Sequence, residues 1–360
     1  MAFLGNRALA LGAGAVVLAG AAVWFAQERA GPADATRSND ASRPPAVAEA
    51  SHTPPVCEGN ERVACNPDTQ FVPGFDGDVH PALDASALLT MKASWAGLDL
   101  QGPRGSPTDR FVGMKDQGAF ELNPQELALL SHPRVAQTEA TYSAHQLSLL
   151  LPTKLERVGQ LWSIEPERFL PFLKQLHPHA SVSFDGYPTS YGRRPGPAGA
   201  FGIVRTLSDD RAELQFRVHA ELLLGPGIYY TPACFEGRLV LDRTQHHATW
   251  FQLAVPTKHS INVTVHLVTQ HPRTGVPVAT MRFERVPRMV VEGGTPDAAA
   301  EEHKPGSLSV LEASEQLKRQ FYKFLDIDWV PITKAQEMAR EQDKPLFVAV
   351  LTSPLDDQSC

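Results

Sequence analysis

Four cysteines, Cys57, Cys65, Cys234 and Cys360, are the residues of this chain best suited to covalent chemistry. Cys360 closes the stretch Leu355-Asp356-Asp357-Gln358-Ser359-Cys360, a polar loop that should expose its thiol. The thiolate, not the thiol, attacks a disulfide, and a free cysteine with a pKa of about 8.5 needs help near neutral pH. The amino terminus of a helix just beyond the loop would give that help. No Lys, Arg or His lies between Pro345 and Cys360 to supply it. Asp356 and Asp357 would oppose ionisation if close, so they read as loop-shaping or capping residues. Cys57 and Cys65 flank Gly59-Asn60, and in an exported chain a local structural disulfide is favoured over two separate thiols. Cys234 lies among the bulky residues 229–235 and reads as an inert buried thiol. No two cysteines have zinc-ligand spacing, so a structural zinc site is not expected.

Histidines offer weaker chemistry. His219 and Glu221 are two apart in an alternating stretch and would share one face of a strand. That is half of a metal site or an acid–base pair. The simpler reading is a hydrogen-bonded surface pair reaching Arg217. His177-Pro178-His179 ends a helix, where imidazoles commonly meet the last carbonyls. His246-His247 reads as a polar turn. Asp76 and Asp78 lack the remaining ligands of a calcium loop, including the glutamate at its twelfth position. They read as turn and capping residues, and no calcium or other cofactor is expected.

The elements that must position these residues are legible in part. Residues 333–342 predict a helix with Ala335, Met338 and Ala339 on one face. Residues 346–351 form an apolar run without alternation, which suits a strand buried on both faces. Helix, buried strand, loop and cysteine follow in the order by which a thioredoxin-like domain presents its redox cysteine. Upstream, residues 200–291 show a period of two. Predicted strands cover 201–207, 211–224, 237–242, 249–255, 262–268, 278–284 and 289–291. Ser208-Asp209-Asp210 joins the first two as a hairpin turn. In the second, Leu214, Phe216, Val218, Ala220 and Leu222 alternate with polar residues, predicting one buried and one wet face. Helices are expected over 82–94, from Asn123-Pro124, over 165–176 and over 307–324.

The amino end carries an uninterrupted apolar or glycine run over 8–25, after Arg7 and before Glu28 and Arg29. The run predicts a single uncleaved membrane anchor with a cytoplasmic amino terminus and an exported, periplasm-like placement of the body; a cleaved signal peptide is the alternative. The expected division is anchor 1–30, disordered linker 31–55, an α+β domain with a β-rich core 56–292, linker 293–306, and 307–360 as a helix plus a truncated thioredoxin-like segment. The fold class is therefore α+β: a transmembrane helix, an antiparallel sandwich-like middle domain with flanking helices, and the first part of an incomplete thioredoxin-like domain. A net charge of −7 and no basic stripe argue against a nucleic-acid partner.

The hexapeptide Leu355–Cys360 resembles the start of the active-site motif of the selenoprotein N family, in which Leu-Asp-Asp-Gln-Ser-Cys precedes selenocysteine and glycine. Phe216–Glu221, Leu176-His177-Pro178, the Leu161-Trp162 region and the helix after Val330-Pro331 also resemble that family. The resemblance implies that Cys360 is the catalytic thiol, partner of a selenocysteine expected immediately after it. It implies a chain cut where a UGA codon is read as stop. The expected function is then a membrane-anchored, selenoprotein N-like thiol-disulfide oxidoreductase acting on a protein disulfide, interrupted at its redox motif. The alternative is an anchored module whose sheet docks an envelope protein without catalysis.

Overall fold

Residues 211–242 form one long two-stranded ribbon that bends in the middle and builds both sheets of the protein. The computed structural model describes residues 71–98, 110–112, 124–182, 199–270, 277–299, 305–348 and Leu355. The chain divides into Met1–Val56 and Cys57–Cys360, and all described residues belong to the second unit. The described strands are β1 (Leu88–Trp95), β2 (Arg110–Val112), β3 (Glu139–Ser143), β4 (Leu161–Ser163), β5 (Ala180–Val182), β6 (Ala200–Leu207) and β7 (Arg211–Val218). They continue with β8 (Ala220–Gly225), β9 (Ile228–Pro232), β10 (Phe235–Asp242), β11 (His247–Ala254), β12 (Val263–Gln270), β13 (Pro277–Glu284) and β14 (Met289–Gly294). The helices are α1 (Pro124–Ser131), α2 (Ala144–Ser148), α3 (Leu170–Leu176), α4 (Pro296–Ala299), α5 (Val310–Phe321) and α6 (Ile332–Gln342).

Two antiparallel sheets result. The first has the order β3-β1-β14-β11-β10-β7-β6-β4 and the second β2-β13-β12-β9-β8-β5. The ribbon gives β7 and β10 to the first and β8 and β9 to the second. Val218 faces Phe235 before the bend, and Leu222 faces Tyr230 after it. Three residues separate Val218 from Leu222 but four separate Tyr230 from Phe235, so one strand carries an extra residue at the corner. An unequal count of this kind turns a strand from one sheet into another. The main core lies along the ribbon: Leu214, Phe216 and Val218 before the corner, Leu222 and Tyr230 after it, with Trp162, Phe172 and Phe251.

Several expectations are corrected here. The predicted strand over 211–224 is broken at His219, because its two halves belong to different sheets. Its polar face is not wet. Glu213, Gln215 and Arg217 are buried because α5 lies across them. Helix α5 earns its place through an amphipathic pattern: Ala313, Leu317 and Phe321 pack on Phe201 and Ile203 in a second, smaller core. Ser309 caps it by accepting from the Glu312 N–H while the Glu312 carboxylate accepts from the Ser309 N–H. The helix expected over 82–94 is instead strand β1, whose Leu89, Met91 and Ala93 point inward in strict alternation. Its residues are good helix formers, but pairing with β3 and β14 on both edges overrides that preference.

The incomplete thioredoxin-like segment is also corrected. Helix α6 forms as expected but buries no residue. Residues 344–348 form no strand, and Leu346, Phe347 and Val348 are exposed. No described strand pairs with them, and an extended apolar run without edge partners cannot make a ladder. The transmembrane expectation over 8–25 lies outside the described residues. Among the described residues no helix is long and apolar enough to cross a membrane. The longest, α5, has 12 residues, about 18 Å, against about 30 Å of hydrocarbon. The described fold therefore carries no single-pass helix, and the membrane partnership and exported placement that depended on one are set aside.

Candidate functional site

The bend of the ribbon gathers the chemistry-bearing side chains. On β7, residues at odd positions face α5, so Arg217 follows Glu213 and Gln215 onto that side. Glu236 sits directly opposite Arg217 on β10. His219 occupies the gap between β7 and β8, and its N–H donates to the Gly199 carbonyl at 2.8 Å. Cys234 occupies the matching gap between β9 and β10 and is a fully buried thiol. The end of α5 closes the cluster: the Phe321 ring lies 4.4 Å from the His219 ring, and the Tyr322 ring 6.3 Å from it.

Arg217 is the centre of this site. Its Nε donates to His219 Nε2 at 3.1 Å, and its Nη2 donates to the Leu355 carbonyl at 2.9 Å. The Tyr322 hydroxyl donates to the same carbonyl at 3.3 Å. The guanidinium lies 5.8 Å from the Phe321 ring centre and 5.6 Å from that of Tyr322, within cation–π range. Burial alone would lower the arginine pKa, but Cys234, Tyr322 and Glu236 outweigh it and raise the value. Burial, reinforced by the Arg217 charge, holds the His219 pKa well below its ordinary value. His219 is therefore neutral. Because guanidinium Nε always carries its proton, His219 Nε2 must be the acceptor and Nδ1 the protonated nitrogen.

A second polar cluster lies further along the same face. Arg205 is the extra residue of a bulge in β6, between Val204 and Thr206. The bulge aims its side chain at Glu213, with Nε at 2.8 Å and Nη2 at 2.6 Å from the carboxylate. Arg238 donates to the same carboxylate, and Arg211 lies 3.5 Å from it. The outer guanidinium edge of Arg205 also holds the Leu308 carbonyl at 3.3 Å, and Gln215 donates to the Ser314 hydroxyl at 2.8 Å. This cluster fastens α5 to the sheet.

The sequence candidates fall differently. His219 lies in the link between β7 and β8 and Glu221 on β8, and both are buried rather than on the surface. The link from His219 to Arg217 exists, but it is buried rather than on the surface. His177 packs edge-on to Trp95 at 6.4 Å, and its Nδ1 accepts from the His179 N–H at 3.3 Å. Among the described residues no group of three or more His, Cys, Asp or Glu could hold a metal ion. Cys57, Cys65 and Cys360 lie outside the described residues. Sequence reasoning missed Tyr322 entirely; it read Cys234 as a buried thiol, as it is, but did not place it beside Arg217. The signal for both was distant in sequence: only the bend brings 217–219, 234–236 and 321–322 together.

Comparison with known proteins agrees with the resemblance at a coarse level. No family model matches the chain. Selenoprotein N of Mus musculus is 25% identical over 340 residues, covering 80% of this chain and 58% of the relative. Selenoprotein N of Danio rerio is 26% identical over 315 residues, covering 76% and 55%. The Homo sapiens protein is 23% identical over 278 residues, covering 62% and 45%. This chain is a distant homologue of selenoprotein N. It spans about half the length of these relatives. No solved structure matches.

Two parts of the expected function are overturned. The membrane-anchored thiol-disulfide oxidoreductase required a spanning helix, and no described helix meets that need. It also required a redox fold around residues 346–351, and the described part of that run is exposed and unpaired. The anchored envelope-docking alternative loses its anchor for the same reason. The described residues contain no disulfide; their cysteine, Cys234, is a thiol.

Proposed function

We propose that this chain is a selenoprotein N-type domain whose working group is the thiol of Cys360, the sixth residue of the stretch that begins at Leu355. The observation that carries the reading is the double hold on the Leu355 carbonyl by Arg217 and Tyr322. The first residue of the hexapeptide is fastened to a buried part of the sheet domain. Cys360 follows five residues later, a reach of about 17 Å at full extension. The similarity to three selenoprotein N chains supports the family reading.

The chemistry is nucleophilic attack by sulfur. The thiol of Cys360 loses its proton to solvent, and the thiolate bonds to an electrophile and expels its leaving group. Cys234, the cysteine among the described residues, is fully buried and shielded from bulk reagents. The direct test is alkylation by limiting iodoacetamide at pH 7, followed by peptide mass spectrometry. Cys360 in the folded chain should react faster than the cysteine of the free hexapeptide Leu-Asp-Asp-Gln-Ser-Cys. An equal or slower rate overturns the reading. For Cys57 and Cys65 we propose a local disulfide, and a non-reducing peptide map that recovers both as alkylated thiols overturns it.

A further inference from the structure

We infer that helix α6 and the extended residues 344–348 beside it form a self-complementary face that docks on the same face of a second copy of this chain. This face is independent of the reading of Cys360 as the working thiol. After α6, Asp343 takes the left-handed conformation at φ 49°, and the chain turns back. The Lys344 N–H donates to the Ala339 carbonyl at 3.0 Å. The Phe347 ring then lies 6.1 Å from that of Trp329, a residue that precedes the helix. The returning run therefore lies alongside α6, and both are open to water. No residue of α6 is buried.

Two observations favour a second copy as the occupant. The first is area. Trp329, Ile332, Met338, Leu346, Phe347 and Val348 are between 38% and 78% exposed. Those fractions amount to roughly 650 Å² of apolar surface per chain, near the ~800 Å² that each partner contributes to a stable complex. A two-fold contact uses the same patch on both chains, so one such face is enough for both. The second is charge. On α6, Ile332, Ala335, Met338 and Ala339 share one side, and Lys334 and Glu341 stand along one flank of it, two turns apart. Both oppose the helix macrodipole, which favours an acid near the amino end and a base near the carboxyl end. Within a single chain that placement is unfavourable. Against an antiparallel copy it is a match: Lys334 meets Glu341 of the second copy, and Glu341 meets its Lys334. A parallel copy would bring like charges together. The apolar surface supplies the affinity, and the two ion pairs set the orientation.

The test is analytical sedimentation of the full chain over a roughly hundredfold range of concentration, in reducing agent so that no disulfide joins the copies. The wild type should pass from monomer to dimer as the concentration rises. Lys334→Glu and Glu341→Lys each set like charges across both contacts, and each should raise the Kd about fivefold to thirtyfold. The double reversal restores opposite charges and should bring the Kd back to that of the wild type. An equimolar mixture of the two single variants should associate more tightly than either alone, because each chain then meets the opposite charges. Met338→Glu puts a charge in the apolar middle and should leave the chain monomeric throughout. All these positions are exposed, so the melting temperature of dilute protein checks that the fold is intact. A wild type that stays monomeric at every concentration overturns the inference, and slow amide exchange across α6 in that monomer would assign the face to the chain's own residues. A dimer whose Kd the single variants leave unchanged, or a double reversal no tighter than the singles, overturns it as well.

Discussion

Glu213 is a carboxylate almost fully out of water, ringed by three guanidiniums. Burial would raise its pKa, but hydrogen bonds and charge from Arg205 and Arg238 win and lower it below 4.5. Its folded pKa is depressed, so its contribution to stability is complete above about 4.5 and is lost as the pH falls through the folded value. His266 on β12 is pushed by burial from 6.5 down to about 4. The sign is the same. The neutral ring is what the fold accommodates, so this contribution is complete above pH 6.5 and drains away between 6.5 and about 4. The urea midpoint should therefore decline in two stages on acidification, starting below 6.5 and steepening below 4.5. His266→Gln should flatten the first stage by up to roughly 3 kcal/mol relative to the neutral-pH value. A midpoint constant from pH 7.5 to 5 would contradict this account.

Strand β6 packs with little tolerance on the face turned away from helix α5. A Cβ on Gly202 would come 2.3 Å from the Trp162 ring, whose Nε1 donates to the Leu150 carbonyl at 3.1 Å. That ring is fully buried and cannot retreat. Gly202→Ala should destabilise the protein by about 1–3 kcal/mol in chemical denaturation, with more if the Trp162 hydrogen bond is lost. On the helix side, Leu317→Ala should cost about 2–5 kcal/mol and Ser309→Ala about 1 kcal/mol. Both losses should be read in urea titrations with unchanged slopes.

Much at this scale was legible from residues alone. The hairpin around Ser208–Asp210, the later strands and the helices near 170 and 310 announce themselves by period and turn chemistry. The exceptions have physical reasons. Strand β1 is written in Ala, Leu, Met and Lys, and only its two neighbours make it extended. The corner at His219 has no Gly or Pro to mark it, because the extra residue that bends the ribbon lies on the opposite strand near Cys234. The burial of Glu213, Gln215 and Arg217 depends on a helix about a hundred residues away in sequence. Arg217 could be named as a neighbour of His219, but the arm it grips is 138 residues distant.

At the scale of the molecule, most of the exposed large apolar side chains among the described residues lie in residues 327–348. Ile327, Trp329, Ile332, Met338, Leu346, Phe347 and Val348 are all exposed, and the rings of Trp329 and Phe347 lie 6.1 Å apart. Such a run of exposed apolar groups is unusual for a soluble surface and favours association. Replacing Phe347 by Glu should lower the fluorescence of a bound hydrophobic dye and raise the concentration at which the protein precipitates, without shifting its melting temperature. A fall in melting temperature would instead mean that Phe347 supports the fold.

The bent ribbon has a bearing on how the molecule comes into being. Its two halves are contiguous, so zipping 211–242 from the turn near Gly227 lays down the first pair of strands in one sheet and then, past the corner, the first pair in the other. Nucleation of either half templates its companion, and neither sheet has a separate birth. Heating should then dismantle both together, with no species in which one survives the other.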